Sequence, residues 1–200
     1  MNMIVLTGMP ASGKSTVAAK LADALSLPVL AKDEFKEALF DTIGFSCYAE
    51  KRKLDHAANA VLLKAAEAML RSGQSVILDN NFDGAAAEAL NALTERMGAR
   101  CVTVFFGGDT EAFYRRYVER DRLHLRHLGH VVQEHYPLHE GDSPDHDMTR
   151  EEFREKFEKR GMADVRLNGI RIEIDATEPA AIDTDRLIQE IRTVLQSHEI

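Results

Sequence analysis

The sequence predicts an α/β fold: a five-stranded, mainly parallel sheet with helices on both faces and a short lid. Three observations carry this. Short apolar runs alternate with segments of helical period, the pattern of repeated strand–helix–strand units. The turn after the first run is glycine-rich and opens directly into a helix. The 200 residues are 44% hydrophobic and 29% charged, enough for one substantial core without disulfides or metals. The expectation is one domain over residues 1–200, with a lid or insertion at about 121–148.

Met3–Thr7 reads as a buried strand bounded by Gly8, and Ser15–Leu25 as the helix that follows. Pro28–Ala31 is a short second strand, and Asp33–Phe40 a short helix. Residues 50–72 give the clearest helix, with Leu54, Ala58, Val61, Leu62, Ala65 and Met69 at spacings of three and four before Gly73. Ser75–Leu78 is a third strand running into Asp79. Ala85–Met97 is helical and stops at Gly98, Cys101–Phe106 is the fourth strand, and Asp109 caps a helix through Arg122. Residues 123–148 are polar and weakly periodic. Thr149–Arg160 is a charged helix whose Thr149 and Glu152 have the spacing of a capping box. Gly169–Asp175 is the fifth strand and Ile182–Leu195 the closing helix.

Asp and Glu number 33 against 25 Lys and Arg, a net charge of −8. Such an acidic chain is a poor general nucleic-acid or anionic-membrane binder, though a local basic patch can still hold a small anion. Cys47 and Cys101 are far apart and suggest no disulfide framework, so a reducing cytoplasm is expected. No basic stretch precedes the first apolar run, and Ala57–Leu70 is broken by Lys64 and Glu67, so neither a signal peptide nor a membrane span is expected.

Gly8, Met9, Pro10, Ala11, Ser12, Gly13, Lys14 and Ser15 fit GxxxxGK[ST], between a strand and a helix as that pattern requires. Successive backbone N–H groups of such a turn face phosphate oxygens, and the helix adds its positive dipole end. Lys14 is expected on the outer phosphates, Ser15 on Mg²⁺ and Thr16 on an inner phosphate. The pattern calls for a nucleoside triphosphate, read here as ATP.

Parallel strands end at one edge, so Asp33 and Asp79 should rise beside this cradle. Asp33 lies where an acceptor would dock and suits the acceptor base; Asp79 suits the metal or its waters. A helix cap and a turn residue are the plainer readings of the two. Lys32 is a second acceptor-side candidate. Between Tyr114 and His130 five arginines meet two carboxylates, a local balance of +3. Arg120 and Arg126 flank the start of the polar segment and are the candidates for neutralising a transferring phosphoryl group, while Arg115, Arg116 and Arg122 read as a solvated helix face. His124, His127, His130, His135, His139 and His146 crowd the same segment. Without an assisting cysteine they read as lid residues touching phosphate or substrate rather than as a zinc site.

Together these pieces resemble the small P-loop kinases related to chloramphenicol phosphotransferase, the zeta toxins and the kinase domain of polynucleotide kinases. The matching residues are Gly8–Thr16, Lys32-Asp33 with Lys36 to Leu39, Val76–Phe82, Arg120 six residues before Arg126-His127-Leu128-Gly129-His130, and Ile172–Thr177. Leu128 stands where that group often has proline. The resemblance implies the P-loop nucleoside triphosphate hydrolase fold and a kinase with Asp33 as base and Arg120 and Arg126 as lid arginines. It also implies adenine contacts at Asp175 to Thr177. The expected reaction is ATP- and Mg²⁺-dependent phosphorylation of a hydroxyl on a small molecule. A 5′-hydroxyl nucleic-acid kinase and a nucleotide-dependent switch acting on a protein stay open as alternatives.

Overall fold

The computed structural model describes residues 1–144, 148–159, 161–162 and 165–196. Five strands form one sheet: β1 Asn2–Gly8, β2 Val29–Ala31, β3 Val76–Asp79, β4 Arg100–Gly107 and β5 Ile170–Asp175. Their order is β2-β3-β1-β4-β5, and each neighbouring pair is parallel. The helices are α1 Lys14–Leu25, α2 Lys32–Ile43, α3 Tyr48–Arg71, α4 Gly84–Met97, α5 Thr110–Arg122, α6 Leu128–Val131, α7 Arg150–Glu158 and α8 Thr184–Gln196. Among the described residues no helix is long and apolar enough to cross a membrane.

The central strand shows why the sheet is covered on both faces. Successive side chains of a strand point to opposite sides. Ile4 and Leu6 enter one core with Leu21 of α1, Phe113 of α5, Phe153 of α7 and Ile191 of α8. Met3 and Val5 enter the other, with Leu62 of α3 and Leu90 of α4. On α3 the buried line is Leu54, Ala58, Leu62, Ala66 and Leu70, an unbroken spacing of four. Val61, expected on that stripe, is 44% exposed beside it. α7 has the capping box its sequence announced: Thr149 Oγ1 accepts from Glu152 N–H, and the Glu152 carboxylate accepts from Thr149 N–H.

A third cluster fastens the polar segment to the sheet's neighbours. Phe40 of α2, Phe45, Leu54 of α3 and Val132 are buried together. Phe45 and Tyr136 exchange backbone hydrogen bonds at 2.8 and 2.9 Å. Gly129 lies flat on Phe40; a Cβ there would stand 2.3 Å from the Phe40 ring. The segment 127–138 is therefore docked on α2 and α3, a contact between positions about ninety apart that local periodicity does not announce.

The strand register places the site. Leu6 and Ala31 both pair with Asp79, Gly8 pairs with Phe106, and Gly107 pairs with Asp175. All five strands thus end at one edge, where ligands bind in such sheets.

Candidate active site

The chain leaves β1 at Gly8 through a turn that only glycine allows. Its φ is 130°, and a Cβ would stand 2.3 Å from the Phe106 carbonyl oxygen. Ala11 holds a left-handed φ of 57°. Pro10 and Ser12 are buried, and Ser12 Oγ braces the turn by donating to the Met9 carbonyl at 2.7 Å. Gly13 precedes α1, and Ser15 and Thr16 follow Lys14 exposed to solvent. Lys14 is buried, with Nζ 2.6 Å from the Met9 carbonyl and 3.2 Å from Ser12 Oγ. Burial pushes this ammonium down to about 8, against the carboxylates of Asp79 and Asp33 and with Arg120 nearby.

Asp79, at the end of β3, is buried. Burial raises its pKa above the usual carboxylate range, opposed by Lys14 and by the Ser15 hydroxyl that hydrogen-bonds it. A buried carboxylate under this strain, with a hydroxyl beside it, is a donor set that a hard divalent cation completes. The residues present therefore fit Mg²⁺.

Asp33 opens α2 directly after β2 and is exposed to solvent, though protein surrounds it as in a cleft. Burial alone would raise its pKa; His130, Lys36, Lys32 and Arg126 outweigh that and hold the carboxyl below its usual range. Lys14 thus lies within electrostatic reach of Asp33, Asp79 and Arg120, and Asp33 within reach of Asp79 and Arg120, with Arg126 acting on Asp33. Lys32, by contrast, is committed elsewhere: its Nζ lies 2.7 Å from Asp55 Oδ1 on α3.

The two lid arginines differ. Arg126 Nη1 donates to both oxygens of Asp121, at 3.0 and 3.2 Å, and its guanidinium lies 4.8 Å from the centre of the Tyr117 ring. Arg120 lies 5.8 Å from the centre of the same ring, and its Nε is buried without a hydrogen-bond partner among the described residues. A buried donor left unpaired costs about 1–3 kcal/mol, which an incoming anion would relieve.

Arg116 was not singled out in the sequence, and here the solvated-face reading fails. Its guanidinium donates to three carbonyls: Ala11 at 2.9 Å, Thr177 at 2.6 Å and Ala176 at 2.9 Å. Asp175 and Thr177 shape the same loop. The Asp175 carboxylate accepts from Thr177 N–H at 2.9 Å, and the Thr177 hydroxyl accepts from Asp109 N–H at 2.9 Å. Their side chains are thus engaged within the protein.

The histidines have structural partners. His127 Nε2 lies 2.9 Å from Asp41, and His130 Nε2 3.0 Å from Glu37, one turn apart on α2. His127 Nδ1 also accepts from Gly129 N–H, capping α6. Leu128 fills the first position of that helix, where proline is equally at home, so no hydrogen bond depends on the exchange. His135 and His139 stack and share Asp142, with Nε2 of His135 at 2.7 Å. His124 is exposed, and His146 lies outside the described residues.

Lys51 is the other residue the sequence left unmarked. Buried on α3, it donates to the carbonyls of His130, at 3.0 Å, and of Val132. Burial pushes it down to about 7, helped by Lys36, Lys156 and Arg126 against Asp55. An unfolded lysine titrates near ~10.4. Between these values the unfolded chain binds more protons, so this residue's contribution to stability rises with pH. Urea unfolding should show the wild type gaining on Lys51→Met from about pH 7 to about pH 9, by at most ~1.4 kcal/mol per pH unit. A constant difference would remove Lys51 as the titrating group.

A parallel sheet of this order with a GxxxxGKS turn at its edge defines a P-loop nucleotide-binding protein of α/β fold. Residues 3–133 match the family described as AAA domain, and the chain belongs to that family. Among solved structures, a protein assigned as a kinase from Chloroflexus aurantiacus J-10-fl is 28% identical, with 98% of each chain covered and a TM-score of 0.81. Shikimate kinase from Aquifex aeolicus VF5 is 21% identical over 98% of this chain and 96% of its own, with a TM-score of 0.54. A gluconokinase from Sinorhizobium meliloti 1021 is 17% identical over 98% of each, with a TM-score of 0.51. The last two share the fold. No curated protein matches the chain.

Proposed function

We propose that the chain is an ATP-dependent phosphotransferase that moves the γ-phosphate to a hydroxyl of a small molecule. The observation that carries this is the convergence of a phosphate cradle, an acceptor-side carboxylate and an arginine with an unpaired donor around Lys14. A nucleotide switch has no need of Asp33 at that place. The likeness to a protein assigned as a kinase over the whole chain supports the same reading.

In this mechanism the backbone N–H groups of Gly8–Thr16 and the Lys14 ammonium bind the phosphates of ATP. Ser15 and Asp79 would hold Mg²⁺, which neutralises charge on the outer phosphate oxygens when bound. The loop at Asp175–Thr177, fastened by Arg116, would border the adenine. Asp33, held ionised by its cationic neighbours, orients the acceptor hydroxyl and takes its proton as the new O–P bond forms. The bond between the γ-phosphorus and its bridging oxygen breaks, and ADP leaves. Arg120 donates to the equatorial oxygens while they carry the developing charge; Arg126, fixed by Asp121 and Tyr117, adds its positive charge beside Asp33.

The test is incubation with γ-labelled ATP, Mg²⁺, a pool of hydroxylated metabolites and short 5′-hydroxyl oligonucleotides. Label in a small organic product is the expected result. Label in inorganic phosphate alone overturns the reading in favour of a switch or hydrolase. Label on the oligonucleotides overturns the small-molecule acceptor.

A further inference from the structure

Two ammonium groups on α2 share a single carboxylate oxygen. Lys32 Nζ lies 2.7 Å and Lys36 Nζ 2.8 Å from the same atom, Asp55 Oδ1. One carboxylate offsets one of these charges. Lys51, one turn before Asp55 on α3, adds a third buried amine, charged below about pH 7, whose partners are neutral carbonyls. Carbonyl dipoles satisfy its hydrogen bonds without cancelling the charge it carries when protonated. Arg126 and His130, which also face this region, each have their own carboxylate in Asp121 and Glu37. A chain of net charge −8 therefore gathers more ammonium groups than salt-bridged carboxylates here, with the Asp33 carboxylate as the further negative charge that Lys32 and Lys36 act on. Such an excess is costly in a half-buried place, and its cost falls when an anion arrives.

The location is specific. Lys36 and Lys32 both act electrostatically on Asp33. The region opens toward solvent at that end, since Asp33 is exposed and Asp55 is 23% exposed. Lys36, at 14% against 7% for Lys32, is the more accessible of the pair. Burial is the main cause of the depressed proton affinity of Lys51, and Lys36, Lys156 and Arg126 add to it.

We infer that the acceptor is an anionic hydroxyl compound, bearing a carboxylate or a phosphate, and that Lys36 seats this anionic group beside Asp33. The inference rests on the phosphotransferase reading for the word acceptor; the anion seat stands on the lysines alone. Asp55 then acts as a positioning residue that holds the two lysines together until the anion enters.

Calorimetric titration tests the seat without turnover. The protein is first saturated with a non-hydrolysable ATP analogue and Mg²⁺, so that the phosphate cradle is filled. Inorganic phosphate is titrated in one arm and acetate in another, which tells the two anions apart. Saturable binding of either is expected, weakened about 10-fold or more in Lys36→Met and restored in Lys36→Arg. Absence of saturable binding of both anions to the wild type overturns the inference, whatever the variants do, and so does equal affinity in Lys36→Met. The transfer assay separates the two ideas. Label passing only to neutral hydroxyl compounds, and not to their carboxylated or phosphorylated counterparts, overturns the anionic acceptor and leaves the phosphotransferase intact. Anion binding with label only in inorganic phosphate supports the seat and overturns the transferase.

Discussion

Replacing Arg120 with methionine is expected to slow phosphoryl transfer by about 10³-fold while leaving ATP binding close to wild type. The size follows from what its guanidinium lacks. Its Nε is buried with no hydrogen-bond partner among the described residues, so the donor is already desolvated when the phosphoryl group develops charge. A pre-set donor of this kind acts in the transition state and hardly at all in the ground state. About 10³-fold corresponds to ~4 kcal/mol of barrier. Arg126→Met should cost less, because its guanidinium is spent on Asp121 and the Tyr117 ring. Arg120→Lys should recover little, since a compact ammonium cannot reproduce the planar fork. Single-turnover rates with γ-labelled ATP measure all three. A fall of less than about 10-fold in Arg120→Met would remove that residue from the transition state.

Asp33→Asn should slow transfer by about 10²-fold or more and keep the affinity for ATP. Asparagine preserves the shape and one acceptor oxygen but cannot take a proton at neutral pH. The change also reaches the cradle. Asp33 helps Lys14 keep its proton and makes Asp79 harder to ionise. Without it, the Lys14 pKa should fall further below about 8, and Asp79 should ionise more readily. Nucleotide affinity, measured by titration with an ATP analogue, should therefore stay within a few-fold while transfer collapses. Near-normal transfer would exclude Asp33 as the base, and a matching loss of nucleotide affinity would make it a structural residue of the cradle.

The sheet and the cradle could be read in the chain because their signals are local. Buried strands such as Met3–Leu6 are short apolar runs, and the turn at Gly8–Ser15 has its glycines where backbone geometry demands them. The capping box at Thr149 and Glu152 is likewise a matter of three residues' spacing. What stayed hidden depends on partners far away in sequence. Arg116 reads as a surface residue until Ala11 and Thr177, 105 and 61 positions distant, are brought to it. The pairing of His127 and His130 with Asp41 and Glu37 shows only as matching helical spacings, one turn on each side, which composition does not reveal. Lys51 looks like any lysine in a charged stretch, because only the docked segment gives it carbonyls and takes away its water. Asp33 lay between these cases: a helix cap and a base call for the same residue type, and the cap reading fails only because α2 starts at Lys32 with Ala31 as its N-cap.

The three bonds of Arg116 join two parts of the chain that the sequence keeps far apart. One guanidinium fastens the left-handed corner of the phosphate turn at Ala11 to the chain leaving β5 at Ala176 and Thr177. The two ends of the proposed nucleotide site thus hang on a single side chain, and a substitution there would release both at once.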